Sequence, residues 1–209
     1  MLRRSLIRTL VVLAGLAFTN GAFAQMAVDA ALVKALKEGG YVIVIRHGAT
    51  FADQADTDPL NPANVAKQRQ LNDKGRAAAE TMGKSFKTLG IPGGKVYTSQ
   101  FQRAVDTGKL IGVGDVTPLV DITEGGLVVS PIENNRRADA FRKLVGVEPA
   151  KGTNTYIVSH KPNIIDAFGK DWFEIKEGEA TVFRPDGMGG LKVIARVQMD
   201  QWTELAKAK

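Results

Sequence analysis

Tyr41-Val42-Ile43-Val44-Ile45-Arg46-His47-Gly48 is the stretch that decides the fold. Tyr41 to Ile45 is a continuous apolar run dominated by β-branched residues, without the alternation of a half-exposed strand. Such a run suits a strand buried on both faces, as in a parallel sheet covered by helices. Gly39-Gly40 just before it stops a helical pattern over Val28 to Lys37. Outward from this strand the pattern keeps alternating. Asn72 or Asp73 caps a helix that runs to about Leu89, and Lys95 to Thr98 is a short strand. Gln100 to Ile111 reads as helix, Val116 to Val120 as strand, and Glu133 to Val145 as a charged amphipathic helix. Thr155 to Ser159 is a second buried strand, and Pro162 sits where the next helix begins. Thr181 to Phe183 and Val193 to Val197 form a closing hairpin around the Gly-rich turn Pro185 to Gly190. The expectation is a three-layer α/β/α sandwich with a mostly parallel central sheet.

Met1 to Ala24 stands apart from this pattern. Arg3, Arg4 and Arg8 precede the apolar run Leu10 to Phe18, and Ala22-Phe23-Ala24 is a small-x-small cleavage pattern before Gln25. That order reads as a secretory signal, which divides the chain into a leader over 1–24 and a domain over 25–209. The apolar run is shorter than the roughly 18 residues of a membrane span, so no stable membrane insertion is expected once the leader is removed. The expected location is periplasmic or secreted. Half of the formal net charge of +6 belongs to those three arginines. The remaining +3 suits attraction of anionic substrates and argues against a nucleic-acid partner. The chain has no Cys and only two His. Cysteine nucleophiles, thiolate zinc sites and iron–sulfur clusters are thereby excluded.

Both histidines follow buried strands. Arg46-His47-Gly48 follows the first, and His160 follows Ser159 at the end of the second. Ser99 ends a third strand, with Arg103 one helical turn later. Ligands of open α/β sheets bind beyond the carboxyl ends of strands. Two Arg and two imidazoles converging there call for an anion between them, because guanidinium forks bind phosphate oxygens. A neutral imidazole can attack phosphorus and carry the phosphoryl group. Gly48 fits a backbone that lets a phosphate approach closely. The polar segment Ala49 to Gln70 is long for a connection and reads as a functional loop, a candidate lid.

Ile45-Arg46-His47-Gly48-Ala49-Thr50, the stretch Ser99 to Thr107, and Val158-Ser159-His160 together resemble the histidine phosphatase superfamily, also called phosphoglycerate-mutase-like. The three motifs occur in that family's order. The resemblance implies that His47 is a nucleophile that becomes phosphohistidine. It implies that Arg46, Arg103 and His160 bind the phosphate, with His160 also stabilising the transition state. It implies no metal and no organic cofactor. The family often takes its proton donor from the segment after the second arginine motif. Glu124 is the nearest match and is favoured here, with Glu179 as a competitor. Lys161 stands where many members have Gly, and either adds positive charge or faces solvent. Glu133-Asn134-Asn135-Arg136-Arg137 reads as a capped, solvated helix start rather than as a substrate contact.

The function expected from this resemblance is an exported phosphatase acting on small-molecule phosphomonoesters. Two other readings remain open: a non-catalytic module that binds a phosphorylated ligand on the same fold, and a phosphotransferase or mutase with an alcohol as acceptor.

Overall fold

The computed structural model describes residues 25–125 and 128–208. The leader expected over Met1 to Ala24 lies outside the described residues.

Six strands form one sheet in the order β3-β2-β4-β1-β5-β6. They are β1 (Val42–Arg46), β2 (Val96–Ser99), β3 (Val116–Leu119), β4 (Thr155–Ser159), β5 (Ala180–Pro185) and β6 (Leu191–Val197). β1 pairs parallel with β4, and β2 pairs parallel with both β4 and β3. β5 pairs antiparallel with β1 and turns back into β6 as a hairpin. The sheet is therefore mostly parallel, with an antiparallel edge at one side. Register aligns the strand ends: Arg46 lies opposite Ser159, and Thr98 opposite Val158. The carboxyl ends of β1, β4 and β2 are flush, so the residues just beyond them share one rim.

Helices cover both faces. On one side, Leu32 and Leu36 of α1 (Ala30–Glu38) and Met82 and Phe86 of α2 (Asp73–Leu89) pack on Ile43, Ile45 and Val158. Ala104 and Ile111 of α3 (Gln102–Ile111) join the same core. On the other side, Phe141 and Val145 of α4 (Pro131–Val145) and Ile164 of α5 (Lys161–Phe168) pack on Val42, Val44 and Ile157. Alternate residues of β1 thus serve opposite cores, which explains why its sequence is apolar throughout. The arrangement is an α/β/α sandwich.

Helix boundaries follow local chemistry. The Asn72 side chain accepts from the Gly75 N–H at the start of α2, and Gly90 ends that helix in the left-handed conformation at φ 71°. Ser130 caps α4 by accepting from the Glu133 N–H, ahead of Pro131. The sequence pattern did not reveal α6 (Met199–Lys207), a short helix whose Trp202 is fully buried. Trp202 meets Phe86 edge-on at 4.9 Å between ring centroids, so a single large anchor docks an otherwise polar helix.

Gly48 and Gly75 touch where α2 meets the end of β1. A Cβ on Gly75 would stand 2.1 Å from the Ala49 carbonyl oxygen, and one on Gly48 would stand 2.9 Å from the Gly75 oxygen. The helix packed behind it is thus one reason for glycine at 48. Ala ordinarily stabilises a helix by about 1 kcal/mol over Gly. Gly75→Ala is expected to do the opposite, lowering stability by roughly 1–3 kcal/mol through overpacking. Thermal melting checks this, and an unchanged or raised midpoint would contradict the close contact.

Candidate active site

The residues past β1, β2 and β4 meet. The His47 N–H donates to the Ser159 carbonyl (3.0 Å), which extends the β1–β4 ladder by one residue and fixes His47 beside His160. The two imidazoles lie edge to face, 5.0 Å apart between centroids. Both are buried.

Each ring is oriented by one partner. His47 Nδ1 lies 2.8 Å from the Gly48 carbonyl oxygen. A carbonyl only accepts, so Nδ1 carries the proton and Nε2 keeps its lone pair. His160 Nε2 lies 2.7 Å from Ser99 Oγ, which also accepts from the Phe101 N–H. With its oxygen so engaged, the Ser99 hydroxyl is placed to donate to Nε2, which puts the His160 proton on Nδ1. That Nδ1 is buried without a hydrogen bond, 3.4 Å from Glu124 Oε2, a charge contact beyond good hydrogen-bond geometry.

Arg103, on the first turn of α3, has no solvent exposure. Its Nη1 donates to Asp56 Oδ1 (2.9 Å) and its Nη2 to Glu124 Oε2 (3.0 Å). Its guanidinium also lies 4.6 Å from the Phe101 ring centroid. The Arg103 carbonyl accepts from the Thr107 hydroxyl, which in turn accepts from the Gly48 N–H. Residues four apart on α3 thus tie the helix to the turn that holds His47. Arg46 donates through Nη1 to the Ile175 carbonyl (2.8 Å) and lies 3.6 Å from Glu177.

Arg46 Nε, Arg103 Nε and His160 Nδ1 are buried nitrogens without a hydrogen-bond partner among the described residues. Burying such groups unpaired is costly. Three orphaned N–H donors on residues beside the same strand ends are donors that an oxyanion could satisfy.

Electrostatics agree with this chemistry. Burial, followed by the nearby Arg103 charge, lowers the His47 pKa from 6.5 to about 3. Burial and Arg103 push His160 well below its ordinary value too. Both rings are therefore neutral at neutral pH, the form in which His47 Nε2 is nucleophilic.

The structure brings together Arg46, His47, Arg103, Glu124 and His160. Glu179 accepts from the Arg46 N–H through its backbone carbonyl, while its buried carboxylate binds Arg196 Nε (2.7 Å), Gln198 Nε2 (2.6 Å) and the Lys176 N–H. Those contacts tie the Glu179 carboxylate to β6 and to the segment that follows it. Lys161 lies over the Phe173 ring at 4.5 Å. Glu133 is engaged by Arg136 and Arg137 at the start of α4, as a solvated helix start would be. Sequence reasoning did not single out Asp56, Gln68 or Arg69. All three lie in the polar segment Ala49 to Gln70, whose length was the signal available. Among the described residues, no group of three His, Asp or Glu could hold a metal. No helix there is long and apolar enough to cross a membrane.

Residues 42–125 match the model of the histidine phosphatase superfamily, branch 1. The matched segment runs from β1 to the residue after Glu124 and takes in Arg46, His47 and Arg103. The protein histidine phosphatase SixA, solved with tungstate, has a TM-score of 0.54 at 18% identity, over 77% of this chain and 97% of its own. Phosphoserine phosphatase from Entamoeba histolytica, solved with 3-phosphoglyceric acid, has a TM-score of 0.53 at 16% identity, over 78% and 98%. YhfR from Bacillus stearothermophilus has 0.51 at 17%, over 73% and 94%. At such identities these likenesses concern the fold. No curated protein sequence matches this chain.

The lowered imidazole pKa has a sign that can be tested. Unfolded His takes up a proton near pH 6.5, whereas folded His47 resists until about pH 3. The stability that neutral His47 contributes is complete above pH 6.5 and is lost as pH falls towards 3. The slope is at most about 1.4 kcal/mol per pH unit for each such imidazole. Urea unfolding is expected to show stability falling through that window, and less steeply in His47→Gln. Equal slopes in the two proteins would contradict a neutral buried His47.

Proposed function

We propose that the protein is an exported phosphatase that hydrolyses phosphomonoesters through a phosphohistidine on His47. The observation that carries this reading is the His47 tautomer: Nδ1 is held by the Gly48 carbonyl, so Nε2 offers its lone pair beside three orphaned N–H donors. The tungstate bound by SixA is a tetrahedral oxyanion, the shape this donor set would take.

In the first half-reaction His47 Nε2 attacks phosphorus and the bond to the ester oxygen breaks. Arg46, Arg103 and His160 Nδ1–H neutralise the equatorial oxygens, which is most of what phosphoryl transfer asks of a protein. The Gly48 carbonyl, already on Nδ1–H, supports the positive charge that develops on the phosphorylated ring. Glu124 gives a proton to the leaving oxygen. An arriving dianion competes with Glu124 for Arg103. In the second half-reaction water attacks phosphorus, Glu124 takes its proton, and His47 is regenerated with release of phosphate. Phosphatase neighbours of the same fold favour water as the acceptor over an alcohol. Export follows from the leader read at Met1 to Ala24.

Turnover of an aryl and an alkyl phosphate tests the assignment. His47→Ala is expected to abolish both. Glu124→Gln is expected to slow the alkyl ester by about 10²–10⁴-fold, the usual range for a general acid. It should slow the aryl ester much less, because that leaving group departs without a proton. Equal loss on both esters would remove Glu124 as the donor. Expressed with its leader, the active protein is expected outside the cytoplasm with Gln25 as its first residue, and an intact Met1 would remove export.

A further inference from the structure

We infer that Asn163 and Arg137 position Glu124 for proton transfer by holding the Thr123 carbonyl from two helices. The inference rests on the phosphatase reading above and deepens it at the same site.

A general acid serves only if its carboxyl stands within hydrogen-bond reach of the leaving oxygen. Glu124 lies in irregular chain beyond β3, and the residue after it is glycine, so no side chain there can anchor it. Its anchor is the residue before it. Thr123 is buried, and each of its polar groups has a partner. Its N–H donates to the Val120 carbonyl (2.9 Å). Its hydroxyl donates to the Leu119 carbonyl (2.8 Å) and accepts from the Gln100 N–H (2.8 Å) just past β2. Its carbonyl accepts from Asn163 Nδ2 and from Arg137 Nη1, each at 3.1 Å. That carbonyl belongs to the peptide plane leading into Glu124, so fixing it fixes where the Glu124 side chain starts.

Asn163 sits on the first turn of α5, just after His160. One turn of helix thus sets both the imidazole and, through Thr123, the carboxylate that lies 3.4 Å from it. The Asn163 side chain is buried, and its Oδ1 has no hydrogen-bond partner among the described residues. A carbonyl only accepts, so Nδ2 is the end that faces Thr123. An apolar side chain of similar size would avoid the cost of the unpaired oxygen. The hydrogen bond to Thr123 is what the amide offers that such a side chain does not.

Arg137 comes from the other helix. Its Nε donates to Glu133 Oε1 (2.8 Å), which orients the guanidinium while Nη1 reaches the Thr123 carbonyl. Its side chain is 12% exposed, against 49% for Arg136 beside it. Of the two arginines at the start of α4, the inner one therefore supports the site and the outer one faces solvent.

Turnover of the alkyl and aryl phosphates separates positioning from a general loss of structure. Asn163→Ala is expected to lower kcat for the alkyl ester about tenfold, the reach of one lost hydrogen bond, and to slow the aryl ester much less. Inhibition by inorganic phosphate should keep its native constant. Arg137→Gln is expected to act in the same direction, and Arg137→Lys to recover most of the alkyl turnover. That pair carries the test if Asn163→Ala fails to fold. In a Glu124→Gln background, Asn163→Ala is expected to cost nothing further, because both changes remove one function. Equal loss on the two esters, weaker phosphate inhibition, or a further loss on top of Glu124→Gln would overturn the inference and leave the phosphatase reading standing. A native protein that turns over neither ester would overturn that reading itself, and the inference with it.

Discussion

A fully buried guanidinium governs this site. Arg103 has no solvent exposure, and an unpaired charge at that depth would be prohibitive. Asp56 and Glu124 answer it from two segments far apart in the chain, one from the long connection after β1 and one from the segment after β3. The same two ion pairs therefore complete two walls of the pocket. The Arg103 carbonyl, through Thr107, reaches the Gly48 N–H and ties α3 to the turn that orients His47. Removing Arg103 would leave two carboxylates facing each other across a buried space and would loosen the histidine turn as well. The packing of the two walls and the placing of His47 thus rest on one side chain.

The imidazoles work because the fold keeps them neutral. Burial does most of this, and the neighbouring arginines add to it. The cost appears in the native state as weaker tolerance of acid, and the gain is a ring nitrogen that needs no separate base to activate it. Partners that touch no substrate, the Gly48 carbonyl and Ser99 Oγ, decide which nitrogen of each ring faces the pocket. Catalytic identity here is thus set by backbone placement at strand ends as much as by the histidines themselves.

Much of this was legible in the sequence. The Tyr41 to Ile45 run is apolar without alternation because β1 feeds both cores, and that property marks a central strand from sequence alone. The parallel frame then places residues after β1, β2 and β4 on one rim, which is how Arg46, His47, Arg103 and His160 could be grouped. The features that escaped depend on tertiary closure. Asp56 is an ordinary member of a polar segment until it folds back on α3. Glu124 and Glu179 are both acids after relevant motifs, and their different partners, Arg103 for one and Arg196 for the other, could not be read from the sequence. α6 escaped because one buried Trp202 anchors it, which leaves little periodic signal to read. Gly48 was legible as a necessary glycine, but its close contact with Gly75, far along the chain, was not.

The central claim is that His47 carries the phosphoryl group, and trapping it is the most direct test. The protein would be mixed with a phosphomonoester, quenched in alkali within milliseconds, where phosphohistidine survives, and mapped by peptide mass. The account predicts one added phosphoryl group on the peptide containing His47, formed and lost at rates compatible with turnover, and none in His47→Ala. Turnover with His47 unmodified throughout, or with the phosphoryl group on His160, would contradict it.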